Sequence, residues 1–123
     1  MKSRPGKTLD VLRKREEFLA IAKSGQKWVA PGLIVQAGKT RSDQTPSAIR
    51  YGLTASGKIG NAIQRNRARR RLRALAAEVL PLHATADRDY VLIARATTTQ
   101  RSFVDLRQDL VTGLRKLGAW KDQ

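Results

Sequence analysis

Apolar positions recur along this chain in two rhythms, one helical and one extended. From Thr8, Val11, Phe18 and Ala22 share a helical face with Leu12 and Leu19 beside it, which predicts a first helix. Ser24-Gly25 is its expected stop, because glycine readily takes the left-handed conformation at a helix end. KWVAPGLIVQAG is rich in β-branched residues and broken by Pro31-Gly32, which predicts two strand pieces around a turn. The polar run KTRSDQTPS, 39–47, reads as a hairpin loop. Ala48 to Thr54 alternates Ile49, Tyr51 and Leu53 with polar or small positions, the period of a strand. Ser56, Gly57 and Gly60 predict a tight loop, and Asn61 is placed to cap a second helix. In that helix Ala68, Leu72, Leu75, Ala76 and Val79 form one apolar stripe, and Pro81 is expected to end it. YVLIA, 90–94, predicts a buried strand. Ser102 to Leu117 predicts a last helix, with Phe103, Leu106, Leu110, Leu114 and Leu117 on its core face and Gly118 as its cap. The order is α-β-β-β-α-β-α, an α+β fold built as a two-layer sandwich of helices and sheet. At 123 residues the chain is expected to form one domain, 8–118, after a flexible basic arm, 1–7, and before a short tail, 119–123.

Charge changes the picture more than hydrophobicity does. The chain carries 25 Lys and Arg against 10 Asp and Glu, a formal net charge of +15. Such an excess favours a polyanionic partner, nucleic acid or an anionic membrane surface. No apolar run approaches the ~18 residues of a membrane-spanning helix, and the basic N-terminus lacks the apolar core of a signal peptide. With no cysteine there is no disulfide or thiolate metal site, a composition compatible with the cytoplasm.

Six of the arginines, Arg65, Arg67, Arg69, Arg70, Arg71 and Arg73, fall on the second helix within nine residues. Surface helices ordinarily mix charge signs at i, i+4, but no acid stands between Ile59 and Ala77. At 100° per residue, Arg67, Arg69, Arg70, Arg71 and Arg73 spread over the arc opposite the apolar stripe, so five guanidinium forks can face phosphates. Arg65 points along the stripe one turn earlier, over the end of the sheet, toward an acid or toward a ligand.

Gly52 to Lys58, GLTASGK, has the glycine and lysine spacing of a phosphate-binding loop, but Ile59 stands where magnesium ligation needs Ser or Thr. The glycines are better explained by a sharp crossover, with Lys58 as a further phosphate contact. His83 has no nucleophile near it, and the acids are scattered, so a protein-borne catalytic or metal centre is not expected. Phe18, Tyr90 and Phe103 read as core; Trp28, beside Lys27, is the best candidate for stacking on a base.

The segment Gly52–Arg73, GLTASGKIGNAIQRNRARRRLR, resembles the signature of the bacterial ribonuclease P protein family. Lys58, Gly60, Asn61 and Ala62 match its crossover, and Arg65, Asn66, Arg67, Arg69, Arg70 and Arg73 match its helix. LRKREEF with Phe18, the DYVLIAR strand and the closing helix agree as well. The resemblance implies a left-handed βαβ crossover through the arginine helix, against the usual right-handed rule. It implies the accessory subunit of an endoribonuclease in which RNA is the catalyst, using magnesium held mainly by RNA. The implied partners are that RNA subunit and precursor tRNA, whose 5′ leader is removed, with no membrane and no small-molecule substrate. The RNA-subunit contacts it implies are Lys58, Asn61, Arg65, Asn66, Arg67, Arg69, Arg70 and Arg73. The leader is expected in a cleft between the sheet and the first helix, with Phe18, Trp28 and Gln36 as candidates. Ala22 and Gln36 stand where family members often carry aromatics, and Gly57 where a second basic residue is common. An rRNA binder without a processing role and a protein nuclease acting alone remain as alternatives.

Overall fold

Side-chain alternation along the strands decides which helix each sheet face receives. The structure, a computed structural model, describes residues 8–39, 48–86 and 88–122. Strands β1 (Thr8–Val11), β2 (Gln26–Val29), β3 (Leu33–Lys39), β4 (Ala48–Thr54) and β5 (Arg88–Ala94) form one sheet in the order β1-β4-β5-β3-β2. Helices α1 (Arg15–Ser24), α2 (Ala62–His83) and α3 (Phe103–Lys116) complete the α+β fold. Leu33, Val35 and Ala37 of β3, Ile49 and Tyr51 of β4, and Tyr90 and Leu92 of β5 point to one face. There they meet Ala68, Leu72, Leu75, Ala76 and Val79 of α2 and Leu106, Leu110 and Leu114 of α3. The other face carries a much smaller buried cluster, Leu12, Ile21 and Val91, flanked by Phe18 and Ile93 beneath α1. The sandwich is therefore uneven, thickly covered on one side and by a single short helix on the other.

The strand Ala48–Thr54, the pair around Pro31-Gly32 and the buried run through YVLIA form as their patterns predict. Other expectations are corrected. Thr8–Val11 is an edge strand rather than the start of a helix; it pairs parallel with β4, and the Leu12 N–H donates to the Tyr51 carbonyl at 2.7 Å. The helix begins only at Arg15, where the Glu17 carboxylate accepts the Lys14 N–H at 3.1 Å. With that start, Leu12 and Ile21 are buried, while Val11, Leu19 and Ala22 are exposed. The run 39–47 does not close a hairpin: β5 lies between β3 and β4, although residues 40–47 themselves fall outside the described residues. β4 and β5 are parallel neighbours, a pairing that needs a crossover, and α2 supplies it.

Pro81 does not end α2, which continues to His83. A proline forfeits one bond to the preceding turn, but the Ala84 N–H still reaches the Leu80 carbonyl at 3.1 Å. The chain after α3 clamps this last turn: Ala119 is buried, Trp120 stacks on His83 at 4.2 Å between ring centroids, and Arg115 lies over the indole. Phe103, read as core, is 37% exposed, because it opens α3 beyond the sheet while Leu106, Leu110 and Leu114 lie over it.

Candidate nucleic-acid interface

The crossover residues set the arginine helix in place before any arginine is counted. Gly57–Ile59 forms a 3-10 turn, with the Ser56 hydroxyl accepting the Lys58 N–H at 3.3 Å and Lys58 exposed. Gly60 has φ 142°, a conformation open to glycine alone, and a Cβ there would fall 1.7 Å from Gln64 Oε1. Asn61 caps α2 through Oδ1, accepting the Gln64 N–H at 2.9 Å, while Gln64 Oε1 accepts the Asn61 N–H at 3.0 Å. This reciprocal box satisfies two donors that a helix start leaves orphaned. The glycine and asparagine of K-I-G-N-A are thus accounted for by geometry. Gly52 lies inside β4, as the strand reading has it, and does not serve the crossover; its missing Cβ admits the Phe18 ring, which a methyl group would meet at 2.4 Å.

The six arginines divide into two groups. Arg67, Arg70 and Arg73 are exposed, with Asn66 exposed among them. Arg65, Arg69 and Arg71 are half-buried and bonded to backbone carbonyls. Arg65 Nη1 donates to the Gly60 carbonyl at 2.8 Å, so its side chain folds back on the crossover, and among the described residues it forms no ion pair with an acid. Arg69 bonds Asn66 Oδ1 at 3.2 Å and reaches the Ala55 carbonyl at 3.5 Å. Arg71, expected among the five outward forks, instead donates to Thr98 O at 2.8 Å and Arg101 O at 2.5 Å, holding the loop before α3. The wheel separates inward from outward; it carries no information about which carbonyls lie within reach.

Phe18 and Gln36 share the α1 face of the sheet, since Gln36 alternates with Val35 and Ala37 of the large core. Trp28 does not join them: it pairs with Val35 across β2–β3, packs against the large core, and has the Lys116 ammonium 5.6 Å over its ring. The three aromatic and polar candidates therefore occupy two faces. A groove of about 480 Å³ starts at Phe18 and Leu19, passes Arg13 and Arg15, and runs along Leu53 and Thr54 to Arg69. It connects the α1 face to the arginine helix. In the sequence Arg13 and Arg15 appear only within the run LRKREEF, with no role of their own, because the strand before them and the late helix start are invisible to local pattern.

Two acids, Glu17 on α1 and Asp89 on β5, are committed to holding the scaffold through Arg50. Asp89, 1% exposed, takes a bidentate pair from Arg50 at 2.6 and 3.1 Å, and Glu17 approaches the same guanidinium at 3.3 Å. The hydrogen bond to Asp89 raises the Arg50 pKa further, against the opposing effect of burial. Among the described residues no three His, Asp or Glu side chains gather as a metal site, and no helix is long and apolar enough to cross a membrane.

Comparison with known proteins agrees with this layout. The family model for ribonuclease P matches residues 7–118. The ribonuclease P protein component of Paramagnetospirillum magneticum is 48% identical over 112 residues, covering 90% of this chain and 84% of that protein. The component from Bacillus pumilus is 31% identical over 113 residues, covering 91% of each. Among solved structures, the Staphylococcus aureus RNase P protein superposes with TM-score 0.73 at 22% identity, covering 90% of this chain and 97% of that one. The Thermotoga maritima RNase P protein gives 0.65 at 25% identity, covering 88% and 94%. The chain carrying the exposed arginine face of α2 belongs to the ribonuclease P protein family.

Proposed function

We propose that this chain is the protein subunit of ribonuclease P, acting in tRNA processing by joining a catalytic RNA to precursor tRNA. The observation that carries this reading is the exposed row Arg67, Arg70 and Arg73 on a helix whose start is fixed by Gly60 and Asn61 in a chain of this family. These forks, with Lys58 and Asn66, bind the RNA subunit. Arg65 and Arg69 hold the crossover beside it, and each keeps further N–H donors for phosphate oxygens. Phe18 and Gln36 line the α1 face for the single-stranded 5′ leader, and the Arg13–Arg15 groove carries the backbone between the two surfaces. Trp28 belongs to neither surface on this reading.

The protein contributes cations where two RNAs crowd their phosphates. Each arginine lowers the repulsion between them, so substrate binds more tightly and less magnesium is needed. Magnesium is held mainly by RNA, and the cleavage step belongs to RNA. Scaffold acids such as Asp89 are already paired with arginine. The expected site of action is the cytoplasm.

Cleavage of precursor tRNA at low magnesium by the RNA subunit, the protein and both together tests the reading. Stimulation of the RNA by the protein is the expected result. Cleavage by protein alone would mark a protein nuclease, and absence of stimulation would mark an RNA binder of another kind. With six to ten phosphates covered, affinity for the RNA subunit should fall by about 10³–10⁵ between 50 and 200 mM salt. A flat salt dependence would sink the electrostatic account.

A further inference from the structure

A second groove, of about 620 Å³, opens between α2 and the start of α3. Arg67, Arg70, Arg71 and Ala74 line one side, Thr99 and Phe103 the other. Among the described residues no acid lines it, and at its far end Glu78 is occupied by Arg107 at 3.4 Å. Two of its arginines, Arg67 and Arg70, are exposed and one helical turn apart, so both can reach a single phosphate. The third, Arg71, is spent on the Thr98 and Arg101 carbonyls and fixes the opposite wall. That wall presents Phe103, 37% exposed on the first turn of α3 although its helix has a complete buried stripe without it. A cationic wall facing an aromatic ring at this spacing suits a phosphate and a base from one nucleotide; a paired base offers no face to the ring. The volume falls in the roughly 300–1,000 Å³ range of small-ligand sites.

Resting on the reading of α2 as an RNA-binding helix, we propose that the α2–α3 groove takes one unpaired nucleotide of RNA, its phosphate between Arg67 and Arg70 and its base on Phe103. The site lies on the face of the sheet opposite α1, so it is separate from the leader surface.

The test measures binding of a labelled hexa-adenylate and of a blunt-ended RNA duplex to the full chain, in a Phe18→Leu background that removes the aromatic ring of the other face. Phe103→Ala should weaken hexamer binding roughly five- to hundredfold, the range for one base stacked on an aromatic, and leave the duplex within about twofold. Phe103→Tyr should restore the hexamer. Arg67→Ala with Arg70→Ala should weaken both RNAs. Equal hexamer binding with and without the Phe103→Ala substitution overturns the proposal. So does equal loss for both RNAs, or competition by hexa-glutamate as strong as by hexa-adenylate, which would mean charge recognition alone. Circular dichroism of each variant separates these outcomes from unfolding. The precursor-tRNA assay is independent: stimulation could survive without a base on Phe103, and a base on Phe103 could survive without stimulation.

Discussion

Gly32 shows how much a single hydrogen atom in place of a methyl group settles. Its N–H donates to Oδ2 of the buried Asp109 carboxylate at 2.9 Å, its carbonyl accepts from Thr98 Oγ1 at 2.6 Å, and Arg101 Nε donates to the same Asp109 oxygen at 2.5 Å. A Cβ at Gly32 would fall 2.6 Å from Asp109 Oδ2 and Leu106 Cδ1 and 2.7 Å from Arg101 Cδ. Gly32→Ala should therefore cost about 1–3 kcal/mol, as overpacking of a closed site does. Gly57 has nothing within 4 Å and no positive φ, so Gly57→Ala should be neutral or slightly stabilising. Urea titrations of the two variants check the contrast; equal losses would refute it. Pro31-Gly32 was legible in the sequence as a turn. That its glycine is required by a carboxylate on α3 was not, because Asp109 lies 77 residues away.

At the scale of the element, α2 has two duties that its sequence presents as one. Its buried stripe was legible, since Ala68, Leu72, Leu75, Ala76 and Val79 are all fully buried. Its arginines looked equivalent, yet Arg71 serves the fold while Arg70, next to it, faces outward. Arg71→Ala should lower stability by about 1.5–3 kcal/mol, since two carbonyls lose a charged donor. Arg70→Ala should change stability by less than about 0.5 kcal/mol, weaken RNA-subunit binding, and reduce the salt slope by about one phosphate contact. Thermal unfolding and salt-dependent binding read the two effects separately; a destabilised Arg70→Ala would contradict this division. α1 was the least legible element. TLDV, just before it, forms a strand only because β4 lies alongside, and a four-residue edge strand has no local period long enough to reveal it.

For the whole molecule the governing quantity is the net charge of +15. Only part of it is answered internally, by pairs such as Arg50 with Asp89 and Arg101 with Asp109. The folded chain should gain stability from polyvalent anions beyond simple screening, because folding brings Arg67, Arg70 and Arg73 onto one face. Unfolding followed by circular dichroism should show the midpoint several degrees higher in sulfate than in chloride of equal ionic strength, at roughly 4 °C per kcal/mol for a chain of this size. Identical midpoints would show that no anion site depends on the fold. The α+β class and nearly every element were legible because the large core follows local periods of 2 and 3.6. Strand order and the sharing of side chains between faces were not, since both depend on pairings distant in the chain.

The uneven covering of the sheet gives the molecule two tempos. On the α2–α3 side the long helix, the docked chain end and the Arg71 clamp lock together, so that surface meets its partner as a finished shape. On the α1 side three buried side chains and the Arg50 pairs hold a ten-residue helix, a unit small enough to open without unfolding the rest. A mould on one side and a latch on the other suit the proposed role, in which one RNA is kept and another is let go after each turnover.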